Sequence, residues 1–311
     1  MRRVSGIAAL AAAALASLSG SSAAAGSSPS LRFTSPPSGL AIQGRSLWVS
    51  LADDGVILRL DVRSGRRLGR IDVHRQDLRA LGGGTLATAG KDIWVAAPVH
   101  VGGDPTVGDA SGWIGRIDVR RSTLRITQIY GDQPAQVAVG TAGVWVSGGH
   151  TVWRIDPRTR RVIATVHLPR NVGAIAVGAR AVWVDEQNAG VLVRIDPRAR
   201  KVLGSTAIGP SMSGSSLALG RFLWATTDRG VVALDPASGS IVRRITLPKP
   251  SAVAVDGAHV WALAPDGLYS IAGTKASRRV ALGPGVAGLL VAARGIVWLS
   301  DGATNTLRRA V

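Results

Sequence analysis

Glu186 is the single glutamate in a chain of 311 residues, and it directly follows Asp185. Adjacent carboxylates offer the hard oxygen ligands that magnesium and calcium take, or a general base with an acidic neighbour. Two further groups have chemistry to add. The glycine-rich stretch "PVHVGGDPTVGDASG" carries His100, Asp104 and Asp109, and "GGH" presents His150. On this reading Glu186, His150 and His100 supply base or ligand, while Asp185, Asp104 and Asp109 complete a site for Mg2+ or Ca2+. The competing explanation is local geometry. Asp54-Gly55, Asp266-Gly267 and Asp301-Gly302 are ordinary turn dipeptides that need no ligand.

Several chemistries are excluded. The absence of cysteine removes thiolate metal sites and disulfides. The five histidines lack paired zinc spacing, and neither a G-x-S-x-G elbow nor a phosphate-binding loop is present.

The elements that must hold these residues repeat. A tryptophan inside a short apolar strand recurs at Trp48, Trp94, Trp145, Trp183, Trp224, Trp261 and Trp298. The steps are 46, 51, 38, 41, 37 and 37 residues, the period of a repeat architecture. Each copy has the same order: an apolar strand such as "AIAVG", a short turn, the Trp strand, a polar loop, a strand ending in "RID" or a relative, a tight turn, and a last strand such as "RVIATVHL". Four short strands per copy with no helical period make one propeller blade. The expected fold is therefore all-β: a seven-bladed β-propeller of four-stranded antiparallel blades. Each repeated tryptophan should pack between neighbouring blades; Trp113 and Trp153, outside the series, are expected to be partly exposed.

The turn after "RID" has its own logic. Asp61, Asp118, Asp156, Asp196 and Asp235 are placed to accept backbone N–H groups two residues on. Four residues after the Asp, a left-handed backbone favours glycine. Gly65 and Gly239 satisfy this, whereas Arg160 and Arg200 predict mild strain. "LYSIAGTKASRRV" in blade six has no such Asp.

The last unit stops after its third strand, so residues 30–36 ("SLRFTSP") are expected to supply the outer strand of blade seven and close the ring. Residues 1–25 carry two arginines, an Ala-rich apolar run and a small-residue cleavage site, and read as a secretory signal peptide. Residues 26–311 then form one domain, secreted or held in the cell envelope, with no lipid anchor and no transmembrane segment, since the apolar run falls short of about 20 residues. The formal charge is +18, which reads either as arginine filling solvated positions or as attraction to anionic envelope polymers or lipids; with export, nucleic acid is not an expected partner.

Loops joining second to third strands, and one blade to the next, gather on one face. They carry Asp53, Asp54, Asp228, Asp266 and Asp301 together with the candidate site residues, while arginines crowd the opposite turns. Blade two departs furthest, with 24 residues from Trp94 to Asp118 against 11 or 13 in blades one and three to five. A long insertion on a rigid frame is where function tends to sit.

The pattern "VAVGTAGVWVSGGHTVWRIDPRTRRVIATVHLP" resembles the bacterial YncE-like (YVTN) propellers and the virginiamycin B lyase-like propellers, over essentially the whole mature chain. That resemblance implies a seven-bladed propeller. It also brings in a streptogramin-opening lyase activity that uses a divalent cation, a histidine and a glutamate. The lyase-like W-x-x-E is matched by Trp183-Val184-Asp185-Glu186, but no histidine lies between His167 and Glu186, so the catalytic pair does not carry over. The function expected is a binding or interaction module, monomeric, whose partner is a protein, an anionic envelope polymer or a small molecule. The alternative is a divalent-metal-assisted lyase or hydrolase at the acidic mouth.

Overall fold

A computed structural model describes residues 28–73, 84–99, 111–211, 216–283 and 285–311. The signal-peptide reading falls outside the described residues, as do His100, Asp104 and Asp109. Seven four-stranded antiparallel sheets form the blades, six in simple meander order and the seventh with its outer strand supplied by the first strand of the chain. Their inner strands touch one another in chain order, and the last meets the first, so the ring is closed. Among the described residues there is no helix.

Closure follows the expected route with a shorter strand. Ser30–Arg32 pairs antiparallel with Thr306–Arg309, the third strand of blade seven. Phe33 N–H extends the ladder to the Asn305 carbonyl at 2.9 Å. By Pro37 the chain has begun the inner strand of blade one.

The pleat explains the tryptophans. In six blades the Trp lies opposite an alanine of the inner strand, as in Ala41↔Trp48 and Ala176↔Trp183, with Val291↔Trp298 the exception. A large ring beside a methyl group fills the wedge between sheets without overpacking it. Each ring then faces the following blade: Trp48 packs with Val95 and Ile117 of blade two, Trp183 with Leu223 and Leu234 of blade five, and Trp298 with Leu47 and Leu60 of blade one.

A second repeated contact lies below the rings. Opposite Trp48, Trp94, Trp145, Trp183 and Trp298 on the third strand stands an arginine. The guanidinium groups of Arg59, Arg154 and Arg194 lie 5.7, 5.8 and 5.9 Å from the ring centroids. Each of these five arginines donates to a carbonyl in the Asp turn of the next blade: Arg59 to Val119 (3.5 Å), Arg116 to Pro157 (2.7 Å), Arg154 to Pro197 (3.2 Å), Arg194 to Ala237, and Arg309 to Arg63 (2.7 Å). The tryptophans of blades four and seven join in, Trp183 Nε1 donating to Pro236 and Trp298 Nε1 to Val62.

The strut stops where it has no receiver. Blade five has Ala233 in the arginine position, and blade six, which follows it, has no Asp turn. Blade six has Ser270, and in blade seven the third and outer strands come from opposite ends of the chain, so no turn joins them.

The Asp turns form as their sequence requires. Asp156 Oδ1 accepts from Arg158 N–H (2.7 Å) and Thr159 N–H (3.1 Å), and Asp61, Asp118, Asp196 and Asp235 repeat the pattern. Gly65 and Gly239 take φ 71° and 83°. A Cβ on Gly239 would lie 2.9 Å from the Trp183 ring, so the previous blade demands glycine there too. Arg160 and Arg200 hold the same left-handed conformation at φ 63° and 59°, which is the expected strain.

Trp113 and Trp153 differ from expectation: they are 3% and 4% exposed. The insertion in blade two is the reason for the first. It lengthens the second and third strands, which pair out to Val99↔Ser111, and this carries Trp113 opposite Ala97 and into the core between blades one and two. Trp153 pairs with Val146 and packs in the core shared by blades two and three.

Candidate functional site

Two faces are defined by the strand order. The upper face gathers the loops between second and third strands and the links between blades; the lower face gathers the remaining turns. Residues Asp185 and Glu186 end the second strand of blade four at the upper face (Val182–Glu186). They are the only charged side chains below 9% exposure among the described residues.

Strand alternation sends this pair in opposite directions. Asp185 shares its side with Trp183, which packs toward blade five; Glu186 shares the side of Val184, which packs toward blade three. Asp185 is fully buried. Ser147 and Ser300 occupy the same place two residues after their tryptophans, and they tie down nearby inner-strand backbone: Ser147 donates to the Gly173 carbonyl at 2.6 Å, and Ser300 accepts from Leu289 N–H at 2.9 Å. Asp185 Oδ2 lies beside Gly173, with the Gln187 side chain packed on the same glycine.

Glu186 meets the exposed Arg170 guanidinium at 3.8 Å. His150, exposed in the loop of blade three, is linked to the same connecting segment: Leu168 N–H bonds the His150 carbonyl and Gln187 N–H bonds the Asn171 carbonyl. The histidine and the glutamate thus flank one connector, from Leu168 to Val172, with no hydrogen bond or ion pair between their side chains. Among the described residues no three His, Asp or Glu side chains converge as a metal site would require.

Three other carboxylates of the upper face hold structure. Asp54 Oδ2 accepts from Thr34 Oγ1 (2.6 Å) and Ser35 Oγ (3.0 Å), pinning the closing segment to blade one. Asp266 accepts from Tyr269 Oη at 2.8 Å, a bond that raises the phenol pKa above its usual value, and from Arg278. Asp301 accepts from Ala303 N–H and Thr304 Oγ1 inside its own turn.

Asp132 belongs to this set and is not visible as a member of the repeat. Its Oδ2 accepts from His150 N–H and Thr151 Oγ1, both at 2.7 Å, and its carboxylate packs on Gly149, which takes φ 50°. The signal in sequence is slight: "YGDQPA" sits in the link to blade three, where the copies share no spacing.

The lower face is basic by contrast. Turns between inner and second strands expose Arg45, Lys91, Arg180, Arg221 and Arg294, and the Asp turns expose Arg120, Arg121, Arg158 and Arg198. The aspartates among them are engaged by backbone N–H groups, which hold their carboxyls below the ordinary value of 3.8.

No protein-family model and no curated protein matches this sequence. Among solved structures, the computationally designed Ika8 protein is similar over 90% of this chain and 97% of its own, with a TM-score of 0.59 and 14% sequence identity, a likeness that extends to the propeller fold alone.

Proposed function

We propose that this protein is an exported binding module of YncE-like type that engages an anionic partner of the cell envelope through its lower face. The observation that carries this reading is the division of charge. Upper-face carboxylates at Asp54, Asp132, Asp266 and Asp301 are occupied by hydrogen bonds within the frame, while lower-face arginines such as Arg120, Arg158 and Arg198 stand exposed. A surface of one sign on a rigid ring captures the opposite charge with a strong dependence on salt.

The test removes equal charge from two faces. The triple variant R120Q/R158Q/R198Q should elute from an immobilised anionic polymer at clearly lower salt than R170Q/R229Q/K249Q, whose sites lie on the upper face. Equal elution would show that net charge alone is being read, and would contradict the assignment.

A second reading, a metal-assisted lyase of the virginiamycin B lyase type, draws support from one feature: the buried pair Asp185 and Glu186 at the upper mouth. Buried carboxylates gather at functional sites more often than elsewhere. On that reading Glu186 serves with His150 or His100, and Mg2+ or Ca2+ binds Asp185 with Asp104 and Asp109.

A further inference from the structure

The outer strands of blades three and four, Val162–His167 and Lys201–Ala207, carry exposed apolar side chains. Val162, Ile163, Val202 and Leu203 are 39%, 48%, 48% and 47% exposed. Each pair directly follows the basic turn of its blade, "RTRRVI" and "RARKVL". The two blades are neighbours in the ring.

Register explains how the side chains come to be outside. Arg154 pairs with Ala164 but Ile155 with Val162, so Ile163 is the extra residue of a β-bulge; Arg194 pairs with Gly204 and Ile195 with Val202, which leaves Leu203 in the same position. A bulge blunts a free sheet edge and opposes pairing with another strand. Blades one, three, four and five share this bulge beside the turn, and its extra residue is apolar in each: Leu68, Ile163, Leu203 and Val242. Blades three and four differ in the residue before it, which is also exposed and apolar, Val162 and Val202 against Arg67 and the less exposed Ile241, and it is this apolar pair that calls for another reason.

The surroundings suggest what covers them. Arg158, Arg161, Arg198 and Lys201 are exposed at the foot of the two strands, and neither strand contains a carboxylate. The nearest acids, Asp156 and Asp196, are bonded to backbone N–H groups of their own turns. Arg160 and Arg200 stand in left-handed positions where blades one and five have glycine, so these two blades keep cations there at a cost in backbone strain. A soluble polyanion would use the cations and leave the apolar pairs wet. A strand from another protein would meet the bulges.

We propose that the outer wall of blades three and four docks on the surface of an anionic lipid bilayer, with the arginines at the headgroup phosphates and Val162, Ile163, Val202 and Leu203 entering the boundary beneath them. Basic residues around a small apolar insert are the combination by which peripheral proteins hold such surfaces. The proposal rests on the reading of the protein as a binder of anionic partners and names the partner.

The test is co-sedimentation of the mature protein with vesicles of phosphatidylcholine alone and of phosphatidylcholine mixed with phosphatidylglycerol. Binding should require phosphatidylglycerol. The variant V162S/I163S/V202S/L203S should partition about tenfold less or weaker still, under conditions where a cooperative melt well above the assay temperature shows that it is folded. The control L68S/V242S alters the corresponding bulge residues of blades one and five and should bind like wild type. Quadruple-variant binding equal to wild type would overturn bilayer docking while leaving the capture of anions standing. An equal loss in the control would overturn the placement on blades three and four. Failure of the wild type to prefer phosphatidylglycerol would overturn the proposal, and the retention of the protein on an anionic polymer then decides separately whether the broader reading survives.

Discussion

At the level of single residues, aspartate is used here mainly as a backbone acceptor. Asp61, Asp118, Asp156, Asp196 and Asp235 each hold a turn by accepting N–H groups from the second and third residues on, and those bonds lower their pKa values below 3.8. The sign of the pH effect follows. A carboxyl whose pKa is lower folded than unfolded contributes its stabilisation in full above the unfolded value and loses it as pH falls through the folded one. The melting temperature should therefore drop as pH falls below about 3.8, and the drop should be shallower in D156N/D196N. Equal slopes, measured by thermal unfolding from pH 6 to about 2.5, would mean that the turns are not the acid-sensitive points. These aspartates were legible in the sequence because each turn is closed within about five residues. Asp132 was not, because its partners lie 18 and 19 positions away across a blade junction and nothing in the repeat marks it.

At the level of the element, the blade was legible nearly strand by strand, since period-two burial, one tryptophan and one turn recur together. What the repeat did not disclose is how a blade holds its neighbour. The arginine of "RID" is visible as a member of the copy, but its acceptor is a carbonyl some 41 to 60 positions on in four of the five cases. Only the stacked sheets bring the two together. The lengthened strands of blade two were hidden for a related reason: "PVHVGGDPTVGDASG" reads as loop from its glycines, while the pairing of Pro98 with Gly112 keeps its base in the sheet. The strut makes a clear mutational prediction. Arg116→Ala should destabilise the protein by about 1–2 kcal/mol, the worth of a charged hydrogen bond at a half-exposed site. Ala233→Arg should give no gain, because blade six offers no turn to receive it. Chemical unfolding of both variants checks this, and stabilisation by Ala233→Arg would contradict the strut.

At the level of the whole molecule, closure joins the two ends of the described chain. Ser30–Arg32 completes blade seven, Thr34 and Ser35 bond Asp54, and Asn305 Nδ2 donates to the Thr34 carbonyl. Removing residues 26–36 exposes the edge of Thr306–Arg309 and frees Asp54 at once. The truncated protein should melt many degrees below the intact chain, and coincident melts would show that the ring does not depend on its N-terminal strand. The frame so closed sets apart two kinds of surface: an upper mouth whose carboxylates are largely committed to holding loops, and a lower face and wall that carry exposed cations such as Arg158, Arg161, Arg198 and Lys201 besides the arginines of the struts. Closure and blade count were legible from the unpaired first segment and the incomplete last unit. The division of labour between faces was legible only as a charge count, because which aspartates are already engaged depends on contacts between blades.

The most direct test of that division is the melting temperature of a protein spanning residues 26–311 in EDTA and then with added calcium, magnesium, manganese or zinc, for wild type and Glu186→Ala side by side. A ligand held only by the native state must raise its stability. The account of the upper mouth as structural predicts that, for each protein, the melts superimpose in all conditions. A rise of several degrees with one cation, lost in Glu186→Ala, would contradict it and move the function to Asp185 and Glu186.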